Sequence, residues 1–141
     1  MTEGLNLRLL DVLDATAHTL VTELEADACS ISRVIGDVLI LVAERVEEGS
    51  TLMQGQGYLV PDYPETARVL ETRVPRALTL DDAEIDAAEA DVLRLLGFGT
   101  LLMVPLDING EPWGLVEVYR RARRAFSEAE IGRAVELGRI T

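Results

Sequence analysis

Five side chains stand where they could hold a ligand: Tyr58, Tyr63, Trp113, Glu117 and Tyr119. Trp113, Leu115, Glu117 and Tyr119 alternate along one apolar run, so the period of two puts them on one face of a strand, with Gly114, Val116 and Val118 on the other. Glu117 is therefore an acid among apolar neighbours. Two readings of it stand: a pocket acid that accepts hydrogen bonds from a ligand, or half of an ion pair with Arg33 or Arg45 across a sheet. Tyr58, next to the glycine-rich Gly55-x-Gly57, and Tyr63 offer rings that stack on a flat ligand or simply pack.

The remaining reactive side chains offer less. His18 lies one turn after Asp14 on a polar helix face, and no partner ligand has metal-binding spacing. Cys29 falls inside a predicted strand, where a cysteine is usually a small core residue rather than a nucleophile. The acidic run Asp81, Asp82, Glu84, Asp86, Glu89 and Asp91 fails as a calcium loop starting at Asp82. The required glycine is Ala87 and the closing glutamate is Leu93. Helix capping and a solvated face account for the run. The cluster Arg120, Arg121, Arg123 and Arg124 reads as a wet turn with ion pairs, or as a docking point for an acidic partner surface. No catalytic residue, metal or cofactor is assigned, and a free-standing enzyme is the weakest reading.

A net charge of −12 over 141 residues argues against nucleic acid or an anionic membrane surface as partner, because both demand clustered positive charge. All thirteen basic residues are arginine, which removes lysine chemistry such as Schiff bases. The single cysteine cannot form an internal disulfide, and the start Thr2-Glu3-Gly4, followed by Asp11 and Asp14, lacks the features of a signal peptide. The expectation is a cytoplasmic protein. The length suits one domain, residues 1–141, with a core that needs no staple.

The elements that must position these side chains follow from periodicity. Leu5, Leu9, Val12, Leu13, Ala17, Leu20, Val21 and Leu24 recur at helical spacing. Strands are expected over Cys29–Val34 and Val38–Arg45, joined across Ile35-Gly36-Asp37. Residues 47–59 read as a flexible connection. Capping-box patterns, Asp62 with Glu65, Asp81 with Glu84 and Ser127 with Glu130, start helices at Tyr63, Asp82 and Glu128. The second of these helices stops at Gly97. Strands Thr100–Leu106 and Trp113–Tyr119 flank Asn109-Gly110, the strongest hairpin signal in the chain. The last helix is still periodic at Ile140, so the chain is expected to be a fragment continuing after Thr141. Helix, two strands, short helices, two strands and helix describe an α+β sandwich around an antiparallel sheet.

In that order the chain resembles the GAF domain family. The resemblance rests on Ala26-Asp27, on Asp62-Tyr63-Pro64-Glu65-Thr66 with Val69-Leu70, and on Asp82 with Glu89, Val92, Leu93 and Gly97. It is densest over Leu102-Met103-Val104-Pro105-Leu106, Gly110, Trp113 to Val118 and Phe126-Ser127. It implies a GAF/PAS-like antiparallel sheet with terminal helices on one face, and short helices and loops around a small-molecule pocket on the other. It also implies a homodimer through the terminal helices and a linked signalling output domain, the ligand being unknown. Cyclic-nucleotide-binding members carry an Asn-Lys signature that a lysine-free chain does not match. Phytochrome-type members attach a bilin to a cysteine followed by histidine, whereas Cys29 precedes Ser30. Members that reduce methionine sulfoxide use several cysteines. What the resemblance supports is a non-catalytic sensor and dimerisation module, or a structural dimeriser whose pocket has collapsed.

Overall fold

The structure, a computed structural model, describes residues 7–46 and 57–141. Most of the expected glycine-rich connection, Gly55 included, and the helix residues before Leu7 lie outside the described residues. Helix α1 spans Leu7–Glu23 and leads into a hairpin of β1 (Ala28–Ile35) and β2 (Val38–Val46). A short strand β3 (Gly57–Leu59), a 3-10 turn and α2 (Pro64–Thr72) follow, then β4 (Arg76–Thr79) and α3 (Ala87–Leu96). The chain closes with the hairpin β5 (Thr100–Ile108) and β6 (Glu111–Arg120), helix α4 (Glu128–Leu137) and a two-residue strand β7 (Arg139–Ile140).

The sheet order is β3-β2-β1-β6-β5-β4, all antiparallel, with β7 joining the far end of β5 in parallel. The hairpin turn forms as its residues dictate. Asn109 and Gly110 take φ of 51° and 81°, the left-handed pair that a type I′ turn needs.

Side-chain alternation splits the interior into two layers. Cys29, Ile31, Val104, Leu106, Val116 and Val118 face α1 and α4, where Leu13, Ala17, Leu20, Leu24 and Ala134 complete one core. Ala28, Leu39, Leu41, Leu101, Met103, Leu115 and Tyr119 face α2 and α3, where Val69, Leu93 and Phe98 complete the other. Each fully buried aliphatic side chain contributes about 1.5–3 kcal/mol of burial free energy. Both faces of the sheet are therefore covered, with the terminal helices together on one side.

Arg120 ties the end of β6 to both terminal helices. Its guanidinium is 1% exposed and donates to the Leu24 carbonyl (2.6 Å), to Glu130 (2.8 Å) and to the carbonyls of Arg124 and Ala125 (3.1 Å each). It also stacks 3.9 Å from the Phe126 ring centroid. Arg120 is thus not part of the wet turn expected of it. Arg123 and Arg124 are, paired with Asp81 and Glu25.

Several local expectations change. The helix expected at Asp82 begins at Ala87, because Asp86, not Asp81, accepts from the amides of Ala88 and Glu89. Asp82 instead caps the turn after β4 by accepting from the Thr79 amide at 2.9 Å. Pro64 starts α2 with no side-chain cap, Pro being suited to the first helical position. The Ser127–Glu130 capping box does form, both bonds present. Helix α4 ends at Leu137 rather than continuing through Ile140, since Asn109 and Asp107 draw the following backbone into β7 through their amides.

Candidate functional site

A cleft lies between the sheet and the α2–α3 layer. Its floor is formed by Ser30 and Ser32 of β1, Leu39 and Leu41 of β2, and Glu117 and Tyr119 of β6. Tyr58 of β3, Tyr63 and Thr66 at the start of α2, and Glu89, Val92 and Leu96 of α3 form its walls. The empty space out to the mouth is about 510 Å³, of which about 50 Å³ is open to the centres of water-sized molecules. That is room for a few waters or a small organic group.

The strand register explains the floor. Ser30 pairs with Glu117 and Ser32 with Leu115, while the β1–β2 register shifts between Ile31, opposite Ala43, and Ser32, opposite Leu41. Small hydroxyl side chains in the central strand leave space that larger residues would fill. The walls depend on α3, whose i, i+4 spacing places Glu89 above Leu93 on the buried face.

Two carboxyls converge on this space. Glu89 is 3% exposed and accepts from the Thr66 hydroxyl at 2.8 Å, with Met103 Sδ 3.5 Å from the same hydroxyl. Burial raises its pKa, and the Asp86 and Glu65 charges add to the effect against the Thr66 hydrogen bond. Glu117 is half-buried, its carboxyl enclosed by the cleft walls. Loss of solvation and the Glu89 charge push its pKa up to about 8, a hydrogen bond with Tyr119 opposing them. Tyr119 is held well above the usual phenol range by burial and by Glu117. Ser30 Oγ lies near enough to the Tyr119 hydroxyl to favour its ionised form, yet outside hydrogen-bond geometry, and it has no partner among the described residues.

Four of the five sequence-derived site residues, Tyr58, Tyr63, Glu117 and Tyr119, meet in the cleft. Tyr58 does so from a strand rather than a loop, pairing with Leu39, and its ring meets Tyr63 edge to face at 6.1 Å. Trp113 lies elsewhere. The step from Leu106–Gly114 to Asp107–Pro112 makes it the extra residue of a bulge, which takes it out of the alternation. It lines a separate groove with Val34, Leu70 and Arg73, under the Arg33 guanidinium at 5.4 Å. Arg33 is therefore engaged away from Glu117, whose carboxyl feels Glu89 and Tyr119 most among the described residues.

Glu89, Ser30, Ser32 and Thr66 were not singled out by sequence reasoning as site residues. Glu89 sits in an acidic run that reads as a solvated face, whereas its helical phase with Leu93 marks it as inward. Ser30 and Ser32, at a spacing of two opposite Cys29 and Ile31, are another such signal. Cys29 itself is buried on the helix side of the sheet, and burial drives its thiol pKa up strongly, with the Glu117 charge adding to it. His18 is exposed on α1. Among the described residues, no group of three or more His, Cys, Asp or Glu side chains is arranged for a metal, and no helix is long and apolar enough to cross a membrane.

The fold recurs in solved structures. The PixJ GAF domain of Thermosynechococcus elongatus, in its blue-light absorbing form, is 23% identical at a TM-score of 0.79, over 96% of this chain and 86% of that one. The phycocyanobilin-bound GAF domain of a cyanobacterial phytochrome is 21% identical at 0.76, over 92% and 79%. The photosensory core module of the Stigmatella aurantiaca phytochrome is 17% identical at 0.77, over 92% of this chain and 31% of that larger one. No curated protein sequence gives a significant match. The GAF domain family, whose members are sensory, ligand-binding modules of signalling proteins, matches residues 8–139. With the sequence match spanning nearly the whole chain and the architecture repeated in these structures, the chain belongs to the GAF domain family.

Proposed function

We propose that the chain is a non-catalytic sensor and dimerisation module, in which a small molecule held in the cleft alters the pose of α1 and α4 and so regulates a linked output domain. The observation that carries this reading is the two-sided use of β6. Glu117 and Tyr119 face the cleft, Val116 and Val118 face the terminal helices, and Arg120 at the strand's end grips the Leu24 carbonyl and Glu130. A ligand that prefers one position of β6 thereby prefers one arrangement of the helices, which is the requirement for coupling. The Arg133–Glu23 ion pair, 2.7 Å, links α4 to α1 at the surface. The ligand is non-covalent in this reading, because Cys29 points away from the cleft.

The small open volume of the cleft favours a second reading, a structural dimeriser that binds nothing. A thermal-shift titration against a broad metabolite panel separates them. A true ligand at about a hundredfold excess over its Kd adds about 2.7 kcal/mol and raises the melting temperature by roughly 6–10 °C. A flat response across the panel defeats the sensor reading.

A further inference from the structure

The chemistry of the cleft selects its occupant. Two carboxyl side chains from different elements, Glu89 and Glu117, line it, and among the described residues no Arg, Lys or His does. Tyr58 and Tyr63 also line the space, their rings packed edge to face at 6.1 Å, and supply aromatic surface that attracts a cation. Independently, Ser30 is 1% exposed and lines the space, and its Oγ has no hydrogen-bond partner among the described residues, the nearby Tyr119 hydroxyl lying outside hydrogen-bond geometry. We propose that the cleft binds a small organic cation of the alkylammonium or guanidinium class, its N–H groups donating to Glu117, Glu89 and Ser30 beneath the Tyr58 and Tyr63 rings. This rests on the ligand-sensing reading above.

Other occupants fit less well. An anion would meet two acids with no cation to offset them. A metal ion would need a third ligand of the usual kinds, and no such group exists among the described residues. A neutral molecule would leave the carboxyls under the same desolvation they now suffer. The net charge of −12 also raises the local concentration of cations around the protein.

The proposal has a pH signature. Glu117 is faced by Tyr119 on its own strand, Tyr58 on β3, Tyr63 ahead of α2, Glu89 on α3 and, through the sheet, the Cys29 thiol. Its raised pKa, about 8, leaves it mostly protonated at neutral pH. A cation prefers the ionised form and expels the proton, so affinity rises from pH 6 to 8, by up to about tenfold per unit, and levels off above. A neutral acceptor that used the Glu117 proton would show the opposite slope.

The test is an amide-shift NMR titration of the labelled 141-residue chain with methylguanidinium chloride, its neutral isostere N-methylurea, and acetate, from pH 6 to 8.5 at constant ionic strength. Methylguanidinium is expected to shift Ser30, Glu89, Glu117 and Tyr119 saturably, to bind at least about tenfold more tightly than N-methylurea at pH 8, and to lose that preference in Glu117→Gln. Gln mimics the protonated acid, so this variant should fold; Glu89→Gln is the second variant if it does not. Cleft shifts produced equally by N-methylurea or acetate, or an affinity that falls with pH, would overturn the cation class while leaving the cleft as a ligand site. Methylguanidinium shifts confined to the acidic surface around Asp81 and Asp82, or no cleft shifts with any probe, would overturn the proposal outright, and the metabolite panel then decides the sensor reading.

Discussion

Glu117 concentrates the electrostatics of the cleft in one side chain. Because its folded pKa lies near 8, above the ordinary carboxylate value of 4.5, the folded state holds a proton that the unfolded chain has released between those limits. The stability this contributes is complete below about pH 4.5 and is lost as pH rises through 8. Glu117→Gln should therefore flatten the pH dependence, gaining about 1–3 kcal/mol on wild type at pH 8.5 and little at pH 4.5, after allowance for solvent at the cleft mouth. Urea unfolding at the two pH values checks it, and parallel curves would refute the assignment. Cys29 makes a second expectation at this scale. Buried and held as a thiol, it should react with iodoacetamide only as fast as the protein opens, so native labelling that outpaces hydrogen exchange of β1 would contradict its placement.

At the scale of elements, the central pair β1 and β6 meets where Gly114 pairs with Arg33. A Cβ there would lie 2.0 Å from the Ser32 carbonyl oxygen, a backbone atom that cannot swing aside. Gly114→Ala should cost about 3 kcal/mol or more and widen the strand pair beneath the cleft, measurable as a drop in the denaturation midpoint. The same elements show what a sequence exposes. The β5–β6 hairpin was legible because Asn109-Gly110 dictates its own turn, and α4 because Ser127 and Glu130 satisfy each other locally. The edge strands β3, β4 and β7 were not, since two to four residues leave no period to read and their pairing is decided by distant partners. The helix after β4 was expected too early, at Asp82, because the Asp81–Glu84 spacing mimics the cap that Asp86 supplies. In the cleft, alternation correctly gathered Glu117 and Tyr119. It failed at Trp113 because a bulge is a property of two strands together, and missed Glu89 because an acidic neighbourhood concealed its inward phase.

For the whole molecule, the layered arrangement gives each side of the sheet one task in the proposed mechanism. If α1 and α4 form the dimer face, sedimentation or native mass spectrometry should show a concentration-dependent dimer, and crosslinks should fall between copies of these helices. A monomer at all accessible concentrations would remove dimerisation from the mechanism while leaving the cleft untouched. The bulge at Trp113 has a practical side as well. This is the chain's one tryptophan, seated on β6 four residues from Glu117 and outside the cleft, with an arginine over its ring. The protein thus carries an intrinsic optical gauge of its central strand: an occupant that merely fills the cleft leaves the emission unchanged, whereas one that displaces β6 alters the indole's stacking and its spectrum, separating binding from signal transmission without a label.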